Sequence, residues 1–219
     1  MTKAVRPCVL NTRTWGRGGP VALLVHGIGA DASSWDRVGP ELAARGYRAV
    51  AVDLRGHGQS PRSSSYHPRD LAADLATTAG PGVALAIGHS LGGWLLALGA
   101  RELGPARAVY EDPAWAVPGK LHAEIAAEVR AAQSGNPCFD PACIPWLLPG
   151  RDYDASPFRP AAPSLVIASD PGDLVDTQEC GDLVRRGFAV ERIPGAGHHI
   201  HRDAFTAFMG CLDRWLAGH

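Results

Sequence analysis

At 219 residues, with 46% hydrophobic and 20% charged residues, the chain is suited to a single domain with a sizeable core. A formal net charge of -1 without long basic or acidic blocks excludes nucleic acid and an anionic membrane as expected partners, and favours a small, uncharged or weakly charged substrate. The opening residues carry charges and a proline rather than a signal-like apolar core, and the longest apolar runs are too short to span a bilayer, so a cytoplasmic setting is expected.

In chain order, residues 5–15 are expected to form an antiparallel hairpin at one sheet edge. Apolar runs bounded by turn residues then predict strands at 21–25, 47–53, 83–87, 108–111, 164–168 and 188–193. Runs that are apolar on both faces indicate buried, mainly parallel strands. Helices are predicted between them at 35–45, 68–78, 92–103, 176–186 and 203–216. This alternation defines an α/β class with a central sheet covered on both sides.

The alternation breaks at 113–163, where prolines recur. This stretch reads as a lid inserted into the single domain 1–219. Leu121, Ile125 and Val129 make one apolar stripe on a polar helix inside it. Trp115, Phe139, Trp146, Leu147, Leu148 and Phe158 supply apolar surface, and Trp115 and Trp146 are the candidates for lining a substrate pocket, with packing as the plainer use of each. Five scattered cysteines (Cys8, Cys138, Cys143, Cys180 and Cys211) are expected to be free thiols of a reducing compartment.

The chemistry is concentrated at Gly88-His89-Ser90-Leu91-Gly92, between a predicted strand and a predicted helix. A serine on so tight a turn is a nucleophile elbow: its backbone is strained, and glycines two residues to either side avoid collisions with the neighbouring elements. A serine hydroxyl needs a base to attack at neutral pH. Among nine histidines, His198 in Gly195-Ala196-Gly197-His198 is best placed, because it follows the last strand on a loop of small residues. His199 and His201 are its neighbouring rivals. An oxyanion also needs donors, and the backbone amides of Leu91 and Ile28 are the candidates. Ile28 belongs to His26-Gly27-Ile28-Gly29, a glycine-rich loop that lets the backbone approach a ligand.

These pieces, with Asp53-Leu54-Arg55-Gly56-His57-Gly58-Gln59-Ser60 between them, stand in an order that resembles the α/β-hydrolase superfamily over nearly the whole chain. The resemblance implies that fold, a lid after the sixth strand, and loop-organising roles for Arg55, His57 and Ser60. It also implies an acid that orients the histidine. The usual position, after the seventh strand, aligns with Gly172, leaving Asp170 early and Asp173 late. A second position known in the superfamily, at the end of the sixth strand, matches Asp112. Asp112 is therefore placed first, Asp170 second and Asp173 third, with a serine-histidine dyad also open. Any of these aspartates has a turn or helix-cap role as its plainer use.

The expected reaction is hydrolysis of an ester or thioester of a small hydrophobic or aromatic acyl group, free or carried on a protein, through an acyl-enzyme on Ser90. This chemistry requires no metal or organic cofactor. In similar enzymes, dehalogenases and epoxide hydrolases carry aspartate at the elbow, so serine argues against both. The same residues also suit an acyltransferase that moves an acyl group from a carrier thioester to an amine or alcohol, and carbon-carbon hydrolysis or lyase chemistry. A reading of another class is a non-catalytic protein that binds a small ligand.

Overall fold

In the computed structural model, which describes residues 6–115, 127, 138–147, 159–172 and 174–219, the apolar runs form one seven-stranded sheet. The strands are β1 (Thr12–Trp15), β2 (Val21–Val25), β3 (Arg48–Val52), β4 (Val83–His89), β5 (Ala108–Glu111), β6 (Ser164–Asp170) and β7 (Ala189–Pro194). Their order across the sheet is β1-β3-β2-β4-β5-β6-β7. β1 runs antiparallel to β3, and every other neighbouring pair is parallel.

Because successive strand residues face opposite sides, a strand buried on both faces must be apolar throughout. In β2, Leu23 and Val25 join the core on one face with Leu95, Tyr110 and Val166, while Ala22 and Leu24 join the other with Trp35, Phe208 and Leu212. The helices are α1 (Val38–Ala44), α2 (Pro68–Ala79), α3 (Leu91–Leu98), α4 (Ala100–Leu103), α5 (Ile144–Leu147), α6 (Thr177–Arg185), α7 (Ile200–Asp203) and α8 (Phe205–Ala217). This is the α/β-hydrolase architecture expected from the motif order.

The elements differ from the expectation in three places. The hairpin at 5–15 is instead the single strand β1, because the preceding backbone is held by side chains rather than by a partner strand. Cys8 N–H donates to Asp74 Oδ1 at 2.7 Å, Leu10 N–H to Thr78 Oγ1 at 2.9 Å, and Asn11 N–H to Ser60 Oγ at 2.8 Å. The helix expected at 92–103 divides at Gly99, which has φ -96° and ψ 6° and where an added Cβ would lie a tight 3.2 Å from the Ala72 methyl of α2. The last helix divides at Ala204, which leaves helical geometry at φ -123° and ψ 44°.

Asp53, Arg55 and Ser60 organise the turn after β3. Asp53 accepts backbone N–H groups from Ala32 and Gln59, both at 2.8 Å, and Ser60 Oγ–H donates to the Asp53 carbonyl at 2.6 Å. The buried Arg55 guanidinium grips both oxygens of buried Asp74 at 2.7 Å. The segment 138–147 is fastened to this turn. Phe139 bridges His57, Gly58 N–H donates to the Cys138 carbonyl at 2.5 Å, and Tyr66 Oη–H donates to Asp140 Oδ2 at 2.6 Å. Most of 113–163, including Leu121, Ile125, Val129, Leu148 and Phe158, lies outside the described residues.

Candidate active site

The carboxyl ends of β2, β4 and β5 lie side by side, with Val25 opposite Gly88 and His89 opposite Glu111. β4 passes straight into α3 through Ser90, which has φ 52° and ψ -115°. A side-chain-bearing residue with positive φ is strained by roughly 1–3 kcal/mol and persists only where its surroundings dictate it. Here they do: Ser90 N–H donates to the Glu111 carbonyl at 2.9 Å, while the Ser90 carbonyl accepts from Ala114 N–H at 3.1 Å and Trp94 N–H at 3.2 Å.

The flanking glycines are sterically required. A Cβ on Gly88 would lie 2.6 Å from the Gly92 carbonyl group, and one on Gly92 would collide with the Val25 carbonyl oxygen. Leu91 is the first residue of α3, where the leading N–H groups have no partner within the helix. The loop holding Ile28 passes against the elbow, since a Cβ on Gly27 would stand 3.1 Å from that of Ser90. His26 secures this loop: its Nδ1–H donates to the Gly27 carbonyl at 2.7 Å, and its Nε2 accepts Leu54 N–H at 3.0 Å. Cys138 Sγ–H donates to the Gly29 carbonyl at 2.9 Å, linking the same loop to the inserted segment.

His198 and Asp112 are brought together. His198 Nδ1 lies 2.6 Å from Asp112 Oδ2, so the ring nitrogen donates and Nε2 is left as the acceptor of the neutral imidazole. Asp112 is fully buried and follows β5 with φ 38°, a second strained residue at this sheet edge. Its other oxygen, Oδ1, accepts from Ser169 Oγ–H at 3.2 Å and from Ser169 N–H at 3.5 Å. Asp170 is engaged elsewhere, accepting from Arg192 Nη2 at 2.8 Å. Asp173 lies outside the described residues.

The neighbouring histidines have distinct places. His201 is held by Glu111 at 2.8 Å rather than by Asp112. The His199 ring packs 4.9 Å from that of His89, and burial lowers its pKa to about 4. Trp115 is 1% exposed and packs its ring against Tyr110 and Phe188, at 5.0 and 5.2 Å, so the structure places it in the core. Trp146 is half-buried and meets the His67 ring edge-on. It packs on the same apolar cluster as Ile28. Among the described residues, no group of three or more histidine, cysteine, aspartate or glutamate side chains is arranged to hold a metal ion.

Burial also sets a pH dependence of folding. His57 is fully buried, donates Nδ1–H to the Arg55 carbonyl at 3.2 Å, and has its pKa lowered to about 3 by desolvation. Burial likewise depresses His26 and His89. A depressed histidine is neutral in both folded and unfolded chains above about pH 6.5, whereas below that value only the unfolded chain takes up the proton. Stability is therefore lost on acidification. The stability advantage of wild type over His57→Phe should shrink by roughly 1.4 kcal/mol per pH unit between pH 6 and 4. Urea unfolding across that range measures it, and a constant difference would contradict a neutral buried His57.

Among known proteins, the chain is 32% identical over 136 residues to an esterase of Mycobacterium tuberculosis, an alignment covering 58% of this chain and 43% of that one. It is 35% identical over 80 residues to epoxide hydrolase B of the same organism, covering 34% of this chain and 22% of that one. The chain thus spans less than half the length of these curated relatives. The crystal structure of E-2-(acetamidomethylene)succinate hydrolase superposes with a TM-score of 0.82 over 95% of both chains at 22% identity, a likeness of fold. The family model described as alpha/beta hydrolase family matches residues 22–155, a stretch that runs from β2 through the elbow and Asp112 into the insertion. With that match over more than half of its length, and a sheet and elbow of the corresponding form, the chain belongs to the alpha/beta hydrolase family.

Proposed function

We propose that the protein is a serine hydrolase acting on an ester or thioester of a small hydrophobic or aromatic acyl group. The observation that carries this reading is the 2.6 Å contact between Asp112 Oδ2 and His198 Nδ1 on a loop beside the Ser90 elbow. With its Nδ1 proton committed to Asp112, His198 offers the Nε2 lone pair to the Ser90 proton as Oγ attacks the carbonyl carbon. The amides of Ile28 and Leu91 stabilise the oxyanion. The imidazolium then gives its proton to the departing alcohol or thiol, leaving the acyl group on Ser90. A water molecule, deprotonated by the same imidazole, cleaves that ester and restores the serine.

The esterase relative supports ester hydrolysis. The shorter likeness to an epoxide hydrolase carries less weight, because the elbow here presents serine. Trp146, half-buried and edge-on to the His67 ring, is the proposed aromatic wall of the acyl site. Trp115 packs in the core against Tyr110 and Phe188.

A fluorophosphonate is expected to label Ser90 stoichiometrically, as read by peptide mass spectrometry, and p-nitrophenyl esters of short or aromatic acids should release nitrophenolate. Folded protein left unlabelled at Ser90 would overturn the nucleophilic reading in favour of ligand binding without turnover. Labelling with no ester release, but with product from an acyl thioester plus an amine or alcohol, would instead identify an acyltransferase.

A further inference from the structure

Glu111 immediately precedes Asp112, and none of its surface is exposed. The mechanism above does not use it, yet it holds its own histidine. Glu111 Oε1 accepts His201 N–H at 2.7 Å, and His201 Nδ1 lies 2.8 Å from both carboxylate oxygens. His201 is 2% exposed, stacks on Trp35 at 4.4 Å and meets the His89 ring edge-on at 5.3 Å. His89 in turn donates Nε2–H to the His198 carbonyl at 3.0 Å.

The short segment carrying His198 is therefore fastened from beneath at both ends, at the carbonyl of His198 and at the N–H of His201. Both anchors come from strands next to the elbow: His89 ends β4 and Glu111 ends β5, paired in register. Glu111 is also tied to the nucleophile, because its carbonyl accepts Ser90 N–H at 2.9 Å. A carboxylate buried in this way is costly unless its hydrogen bonds are made, and apolar side chains of similar volume could fill the same space. What they could not do is fix the height and rotation of the His198 backbone.

We infer that Glu111, His201 and His89 form a buried polar clamp that positions His198 against Ser90. These are positioning residues, acting through His198 rather than on the substrate, and the inference rests on the serine-hydrolase reading. In Glu111→Gln the side-chain oxygen can still meet His201 N–H, but the amide nitrogen confronts the Nδ1 proton. Nδ1–H then keeps only the contact with the oxygen, and repulsion from the amide N–H turns the ring away or changes its tautomer. His89→Leu removes the donor to the His198 carbonyl, whereas His89→Gln keeps an N–H of similar reach.

Because misplacement of a catalytic group by about 1 Å can cost on the order of 100-fold, Glu111→Gln and His89→Leu should lower kcat and the rate of Ser90 phosphonylation together by roughly 10- to 100-fold. KM should stay within about twofold, since substrate binding does not depend on the clamp. His89→Gln should recover most of the rate lost in His89→Leu. Circular dichroism and thermal unfolding identify the folded variants. A folded Glu111→Gln with unchanged kcat and labelling rate, whatever its melting temperature, overturns the inference. Should that variant fail to fold, equal kcat in His89→Leu and His89→Gln overturns it instead. Wild type unlabelled at Ser90 defeats the hydrolase reading, while labelling at equal rates in wild type and variants defeats the clamp alone.

Discussion

Ser90→Ala is expected to lower kcat by about 10⁶-fold for every ester the wild type cleaves, because it removes the proposed nucleophile and with it the covalent route. The change is also expected to be structurally mild. Alanine retains the Cβ and hence the strain of φ 52°, and the backbone bonds to Glu111, Ala114 and Trp94 are untouched. The melting temperature should therefore stay close to that of wild type while phosphonate labelling disappears. Steady-state assays with intact-protein mass spectrometry check both halves. Turnover retained by Ser90→Ala would move the chemistry away from the elbow.

Asp112→Asn is expected to cost about 10⁴-fold in kcat, through the tautomer of His198 rather than through charge alone. Ser169 Oγ–H and N–H both point at Oδ1 of Asp112, at 3.2 and 3.5 Å, so the amide oxygen of asparagine settles there. Its NH2 group then occupies the Oδ2 position, 2.6 Å from His198 Nδ1. A donor at that place makes Nδ1 the acceptor and moves the ring proton to Nε2, the atom proposed to receive the proton of Ser90. KM should change little. Asp170→Asn serves as the contrast, since its partner is Arg192 and its effect on kcat should be small. If the two variants reversed, with Asp170→Asn inactive and Asp112→Asn unaffected, Asp112 would lose its assignment.

The sheet and the elbow were legible because their signals are local. Residues 21–25 and 108–111 read as strands with the bounds of β2 and β5, and Gly88, Ser90 and Gly92 reveal the turn by spacing. Helix interruptions were harder to read. Gly99 sits in an otherwise helical run, and no local pattern announces its departure to φ -96° and ψ 6°. Ranking Asp112 ahead of Asp170 required a resemblance, since both are aspartates just before proline. The partners that distinguish them, His198 and Arg192, are long-range contacts. The pairing of Glu111 with His201 was missed altogether. Its signal was a carboxylate closing the apolar run 108–110 of a strand buried on both faces, where a charged group needs a partner to be held.

The margins of the sheet have a different consequence. β1 spans four residues and is the outermost strand on its side, with Arg13 ion-paired to Asp36 at 3.0 Å and its guanidinium 5.5 Å from the Trp15 ring centre. At the opposite margin β7 carries Glu191 and Arg192 and ends at Pro194. A foreign strand adding to either margin would have to strip water from these charges, and at Pro194 it would find no N–H to pair with. The arrangement that gathers the carboxyl ends of the parallel strands leaves β1 and β7 as its margins, and the composition of those margins works against strand-by-strand aggregation.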